Sequence, residues 1–207
     1  RPYQFCNLSE VVVRVTDDLK SLSNKVRLAT IIGTLQSTLT KFPYLRKVWQ
    51  NNTEEERLLG VSLTGIMDNP LLTTKNKGLA QMLDHLRHVA IDTNKEWSER
   101  LGVQQSTAIT CVKPSGTVSQ LVDSASGIHA RHSPYYYRTV RGDNKDPITQ
   151  FMKDQGIPSE LCVGKPHTTT VFTFPVAAPK NAVTRDDMTA IEQLEMWLTY
   201  QRHWCEH

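Results

Sequence analysis

No Cys-x-x-Cys pair occurs in this 207-residue sequence, and its four cysteines, Cys6, Cys111, Cys162 and Cys205, are scattered. That scatter argues against a structural zinc site; only Cys205 lies near a histidine, two residues before His207. Without a secretory signal, the four thiols read as reduced and the expected location is cytoplasmic. No apolar run reaches membrane-spanning length, so no membrane partner is expected. Neither sign of charge dominates: 24 Lys and Arg against 21 Asp and Glu leave a net +3. This is too little to argue for nucleic acid or an anionic membrane as partner. There is no repeat and no low-complexity tract, which points to one continuous piece of one domain. The chain starts at Arg1 and its closing helical pattern lacks a Gly or Pro stop, so it reads as an internal piece of a longer chain, truncated at both ends.

What is present is an alternation of strand and helix patterns. "FCNLSEVVVRV" (5–15) is rich in β-branched residues and predicts a strand. Apolar residues at helical spacing predict a helix over 24–42, capped by Asp17, Asp18, Ser21 or Ser23. Thr53 with three following acids predicts a helix start. "GVSLTGIMD" (60–68) predicts a buried strand or tight loop. Residues 77–102 predict a long amphipathic helix closed by Gly102. "TAITCV" (107–112), "YYYRTVR" (135–141) and "HTTTVFTFPV" (167–176) predict strands, and 145–155 and 186–207 predict helices. The expected class is α/β with mostly parallel strands.

The stretch "KPSGTVSQL" (113–121) follows a strand and opens a helix pattern. Gly116 permits close backbone approach, Ser115 and Thr117 supply hydroxyls, and Lys113 adds charge. The Walker A spacing is missing. Pro114, Ser115, Gly116, Thr117 and Val118 therefore read either as a turn or as a phosphate cradle. Cys6 reads either as a small core hydrophobe or as a thiol tuned by Asn7 and Glu10. "GIHARHSPYYYRTVR" (127–141) reads as a surface strand or as the lining of an anionic or aromatic ligand's pocket. His85 and His88 read as a solvated helix face, and Trp97, Trp197 and Trp204 as core.

Taken together, "FCNLSEVVVR", "RLLGVSLTGIMD", "AITCVKPSGTVSQLVDSASGIHARHSPYYYRTVR" and "VFTFPVAAP" resemble the catalytic chain of the class II, adenosylcobalamin-dependent ribonucleotide reductases. The likeness is nearest to the monomeric ribonucleoside-triphosphate reductase type. It implies that residues 1–207 are one piece of the catalytic domain, a ten-stranded α/β barrel of the ribonucleotide reductase and glycyl radical enzyme type. It also implies that Pro114, Ser115, Gly116, Thr117 and Val118 bind substrate phosphates and that Cys6 is a redox-active thiol. The family's Asn-Pro-Cys-x-Glu segment, which carries the radical cysteine, is absent from this sequence. The implied ligands are adenosylcobalamin, a ribonucleoside triphosphate, a thioredoxin-like or dithiol reductant, and nucleotide effectors whose site lies outside this stretch. A class I ribonucleoside-diphosphate reductase large subunit and a non-catalytic nucleotide-binding α/β module are the alternatives.

Overall fold

The computed structural model describes residues 2–207, which pack as two compact units, one of residues up to Arg131 together with Lys180–His207, the other His132–Pro179. In the first, β1 (Asn7–Val12) lies parallel to β2 (Leu59–Thr64), with Asn7 opposite Leu59 and Val12 opposite Thr64. Residues 108–112 run parallel along the far side of β2: Val61 N donates to Ile109 O at 2.8 Å and Cys111 N to Val61 O at 3.0 Å. This segment was expected as a full strand, but only one bridge forms, Val61 with Thr110. Its outer edge is taken by the chain's last residues instead. Glu206 N donates to Thr110 O, Thr110 Oγ1 to Trp204 O, and Trp204 Nε1 to Cys111 O.

Helices cover one face of these strands. α1 (Leu19–Gln36) starts earlier than the apolar pattern implies, because Asp18 and Ser21 form a reciprocal capping box. It ends at Gln36, not 42, where the Ser37 and Thr38 hydroxyls take the carbonyls of Thr34 and Leu35. α2 (Lys47–Glu56) corrects the expected start at Thr53, which lies buried inside it. Trp49 draws the earlier turn into the helix by stacking on Phe5, their ring centroids 4.9 Å apart. α3 (Leu79–Leu101) closes on Gly102 in the left-handed conformation, as its sequence predicts. It buries Leu83, Leu86 and Ala90 against α1, and Asn94 donates to Thr34 Oγ1 at 3.0 Å. α4 (Val118–Leu121) is a single turn, and α6 (Ala190–His203) packs Met196 and Tyr200 into the same core. Of the three tryptophans expected in the core, Trp204 is fully buried, whereas Trp197 is 48% exposed and Trp97 half-buried.

The second unit is antiparallel, contrary to the expected mostly parallel strands. β3 (Tyr135–Asp143) pairs with β5 (Thr169–Ala177), whose other edge pairs with β4 (Ser159–Leu161). α5 (Pro147–Asp154) follows β3, capped by Asp146. Among the described residues no helix is long and apolar enough to cross a membrane.

Candidate active site

The sheet of the first unit has two faces, and side chains alternate between them. Leu59 and Ser9 point toward α1: a Cβ on Gly33 of that helix would lie 3.5 Å from Leu59 and 3.7 Å from Ser9 Oγ. The opposite face begins at Gly60. A Cβ there would lie 3.0 Å from Cys6 Sγ, 3.4 Å from Cys111 Sγ and closer still to Leu8. The missing side chain thus brings two thiols together over one glycine. Burial pushes the Cys6 thiol up from its usual range against the pull of Lys113. Cys111 is pushed up to about 12, first by burial and then by Cys6 beside it. Both stay protonated at neutral pH.

Four residues along β2, roughly 13 Å at about 3.3 Å per residue, the same face meets the 113–131 segment. Thr64 Oγ1 donates to Ala125 O at 3.1 Å and accepts from Gly127 N at 3.0 Å. Gly127 has φ +52, and a Cβ on it would lie 2.7 Å from Lys113 O, so only glycine lets the chain pass beneath the loop. Asp68 and Arg131 pin the segment from below. Both are buried, and they meet in a two-pronged pair, Nε to Oδ1 and Nη2 to Oδ2, each 2.8 Å. Asp68 Oδ2 also accepts from Ala125 N. Arg14, from the end of β1, ties down α4 through the carbonyls of Val122 and Asp123.

The loop itself is rigid underneath and open above. Ser115 is buried; its Oγ accepts from Ser119 N at 3.1 Å, and its carbonyl accepts from the hydroxyls of Ser119 and Ser126. Pro114, Gly116, Thr117 and Val118 are exposed, and nothing lies within 4 Å of a Cβ placed on Gly116. The amides of Thr117 and Val118 donate to no acceptor among the described residues. Lys113 links the two ends of the face: its ammonium donates to Ser9 O at 3.3 Å and lowers both thiols.

Cys6 and the loop are therefore on one sheet face, at different ends of it. The 127–141 cluster is divided between the two units, residues 127–131 in the first and 132–141 in the second. Arg131 is spent on Asp68, and His129 is exposed with Nδ1 3.1 Å from Ser126 O. Tyr135, Tyr136 and Tyr137 line a shallow concavity with Pro175, Val176 and Ala177 in the second unit. His85 lies 3.2 Å from Ser23 Oγ and His88 2.6 Å from Asp84 O, both at the surface of α3. Gly60, Cys111, Gly127 and Asp68 escape a reading by motif. Only the glycines carry a local signal, and that signal does not say what they approach.

No family model matches the chain. It is 32% identical over 165 residues to the adenosylcobalamin-dependent ribonucleoside-triphosphate reductase of Euglena gracilis, covering 77% of this chain and 22% of that protein. The enzyme of the same name from Lactobacillus delbrueckii subsp. bulgaricus is 25% identical over 230 residues, 98% of this chain and 31% of its own length. The chain belongs to the class II ribonucleotide reductase family. It spans between a fifth and a third of the length of these reductases. A crystal structure of a B-12 dependent (class II) ribonucleotide reductase superposes with a TM-score of 0.81 at 24% identity, over 99% of this chain and 32% of that one. The fold is thus the α/β fold of that reductase, and the described residues hold only part of its barrel.

Proposed function

We propose that this stretch carries part of the catalytic site of an adenosylcobalamin-dependent ribonucleoside-triphosphate reductase, which makes 2′-deoxyribonucleotides for DNA synthesis. Residues 1–207 are read as one piece of its catalytic barrel domain, in the cytoplasm. The observation that carries the reading is the shared sheet face. A protonated thiol stands at one end, and an open, rigidly backed loop with two available amides stands at the other. The names of the relatives favour this over a class I large subunit.

In this reading Thr117 and Val118 receive the phosphates through their backbone amides and the Thr117 hydroxyl, Gly116 leaves the space open, and Pro114 and Ser115 shape the turn, with Gly116 N held on Pro114 O at 3.0 Å. Cys6 acts at the ribose. Two thiols, Cys6 and one outside this stretch, give two electrons and two hydrogens. The 2′ hydroxyl leaves as water, a hydrogen takes its place, and the sulfurs close to a disulfide. A thioredoxin-like or dithiol reductant restores the thiols, and nucleotide effectors act elsewhere in the full chain. Adenosylcobalamin, when bound, supplies the radical that starts the chemistry. No side chain of this stretch is assigned to the corrin. The half-buried, protonated Cys6 suits that chemistry, because a neutral S–H is the form that exchanges hydrogen atoms.

The test is Cys6→Ser in the full-length reductase chain. Multiple turnover with dithiol should vanish while nucleotide affinity stays within about twofold, well under 1 kcal/mol. Normal cycling by the variant would make Cys6 a packing residue and sink the assignment.

A further inference from the structure

The sequence offers Lys113 as a charge for the loop, but its side chain is drawn the other way. β2 lies between β1 and residues 109–111, paired to one and hydrogen-bonded to the other. The Lys113 side chain crosses it, and the ammonium donates to Ser9 O on β1 at 3.3 Å. Ser9 is three residues from Cys6, whose thiol shares the space over Gly60 with Cys111. The ammonium is thus held over the sheet rather than out beside the exposed Gly116, Thr117 and Val118. An ammonium has three donors; this one has a single long hydrogen bond and no carboxylate partner among the described residues. The titratable groups around it are Cys6 and Cys111, both of which it pulls down, and Glu10 and Cys205, which raise Cys111.

A cation held near thiols acts most when one of them becomes an anion. In the proposed cycle that moment is the reduction of the disulfide. A thiolate of the dithiol reductant attacks the partner sulfur, the S–S bond breaks, and its electron pair leaves on Cys6 as a thiolate. The second reductant thiolate then attacks the mixed disulfide, closes the reductant's own disulfide and expels the partner sulfur. The two expelled thiolates take up two protons, matching those the reductant's thiols released. A thiolate leaves faster the less basic it is. Burial of Cys6 works against that departure, and the Lys113 charge works for it. We propose that Lys113 is a positioning residue for this step: held on Ser9 O, its ammonium stabilises the Cys6 thiolate as the disulfide opens. The inference rests on the reading of Cys6 as the redox thiol.

The test uses the full-length reductase chain, reduced with dithiothreitol and then freed of it. Alkylation of Cys6 by iodoacetamide is followed by mass spectrometry from about pH 7 to about pH 11. Lys113→Met keeps the apolar stem and removes the charge; Lys113→Arg puts a charge back. The alkylation midpoint of Cys6 should rise by about one pH unit in Lys113→Met and return toward the parent's in Lys113→Arg. An unmoved midpoint in Lys113→Met overturns the proposal. The second arm follows turnover at limiting dithiothreitol. Lys113→Met should run about threefold slower than the parent and approach it as dithiothreitol saturates, with CTP affinity within about twofold. An unchanged rate at limiting dithiothreitol overturns the proposal. So does a loss of about tenfold in CTP affinity with an unmoved midpoint, which would give the lysine to the phosphates. If Cys6→Ser cycles normally, the redox reading of Cys6 falls, and this inference with it. If only the midpoint fails to move, the reading of Cys6 stands and the role of Lys113 alone is lost.

Discussion

The two ends of the sheet face are built on opposite plans. At the thiol end the neighbours are close: a methyl group on Gly60 would collide with Leu8, press on Cys6 at 3.0 Å and touch Cys111 at 3.4 Å. At the loop end the packing is all beneath, in Gly127, Ser126, Thr64 and the Asp68–Arg131 pair, while the space above Gly116 is empty. In the proposed reading the half-buried Cys6 thiol gains from close neighbours, which restrict the directions from which other groups can reach it. A loop that receives a charged group needs fixed amides and open space. The difference teaches that rigidity can be supplied from different sides, by neighbours at one end and by a buried foundation at the other.

The strongest way to break the comparison is to remove that foundation. Arg131 and Asp68 are each nearly inaccessible, and their pairing joins residues 63 positions apart. Arg131→Met leaves the Asp68 carboxylate buried without its main partner. The expected loss is about 3–5 kcal/mol of folding stability, read from the midpoint of urea unfolding. Replacing both residues, as Arg131→Met with Asp68→Leu, should recover most of it, because the cost lies in the stranded charge. A single variant that unfolds within about 0.5 kcal/mol of the parent, the usual scale of a surface substitution, would mean that the pair is no foundation.

That pair also marks where sequence reading stops. Helix α3 was legible because its apolar period runs uninterrupted to Gly102, whereas the short glycine-bracketed run over 60–68 left strand and tight loop open, and it holds both, β2 and then a turn at Ile66–Asp68. The loop was legible as a turn or a cradle, since Pro, Ser, Gly and Thr in a row restrict the backbone whatever the tertiary setting. What decides between the two is tertiary. Gly127 has meaning only because Lys113 O lies against it, and Arg131 is withdrawn from any ligand only because Asp68 is buried beside it. The position of α2 was missed for a similar reason. Thr53 has the chemistry of a cap, but stacking of Trp49 on Phe5 extends the helix ahead of it, a contact across 44 positions that no local pattern carries. The antiparallel second sheet is set by pairings between β3 and β5, and strand direction leaves no trace in either strand's own composition.

Two glycines sharpen the comparison within the loop end itself. Gly116 has open space around it and lacks a positive φ; Gly127 has neither freedom. Gly116→Val should leave unfolding nearly unchanged but weaken nucleotide binding by on the order of 2 kcal/mol, through lost charge-assisted hydrogen bonds. Gly127→Val should do the reverse first, costing about 1–3 kcal/mol of stability through strain at a left-handed position and collision with backbone. Titrating a nucleotide and its nucleoside against the Gly116 variant separates a cradle from a turn. A cradle predicts that the nucleotide loses its advantage, whereas equal weakening of both ligands would leave only a turn.

The smallest expected effect concerns the thiol end and its pH dependence. The Cys111 thiol sits at about 12 in the folded chain against an ordinary value of 9.0, chiefly because burial disfavours the thiolate. A raised value means that the folded state holds its proton where the unfolded chain has already released it. The stability contributed by the neutral thiol is therefore complete below about pH 9 and is lost as pH rises toward about 12. Cys111→Ala removes this titration. Its unfolding midpoint should decline less steeply than the parent's above pH 9, and the two curves should run parallel below it. Alkylation by iodoacetamide gives a second view: it needs the thiolate, so Cys111 should stay unmodified at pH 8 in the folded chain and react on unfolding. Ready modification of Cys111 in the folded chain at pH 8 would show that the crowding over Gly60 does not shield it, and the contrast between the two ends of the face would lose its basis.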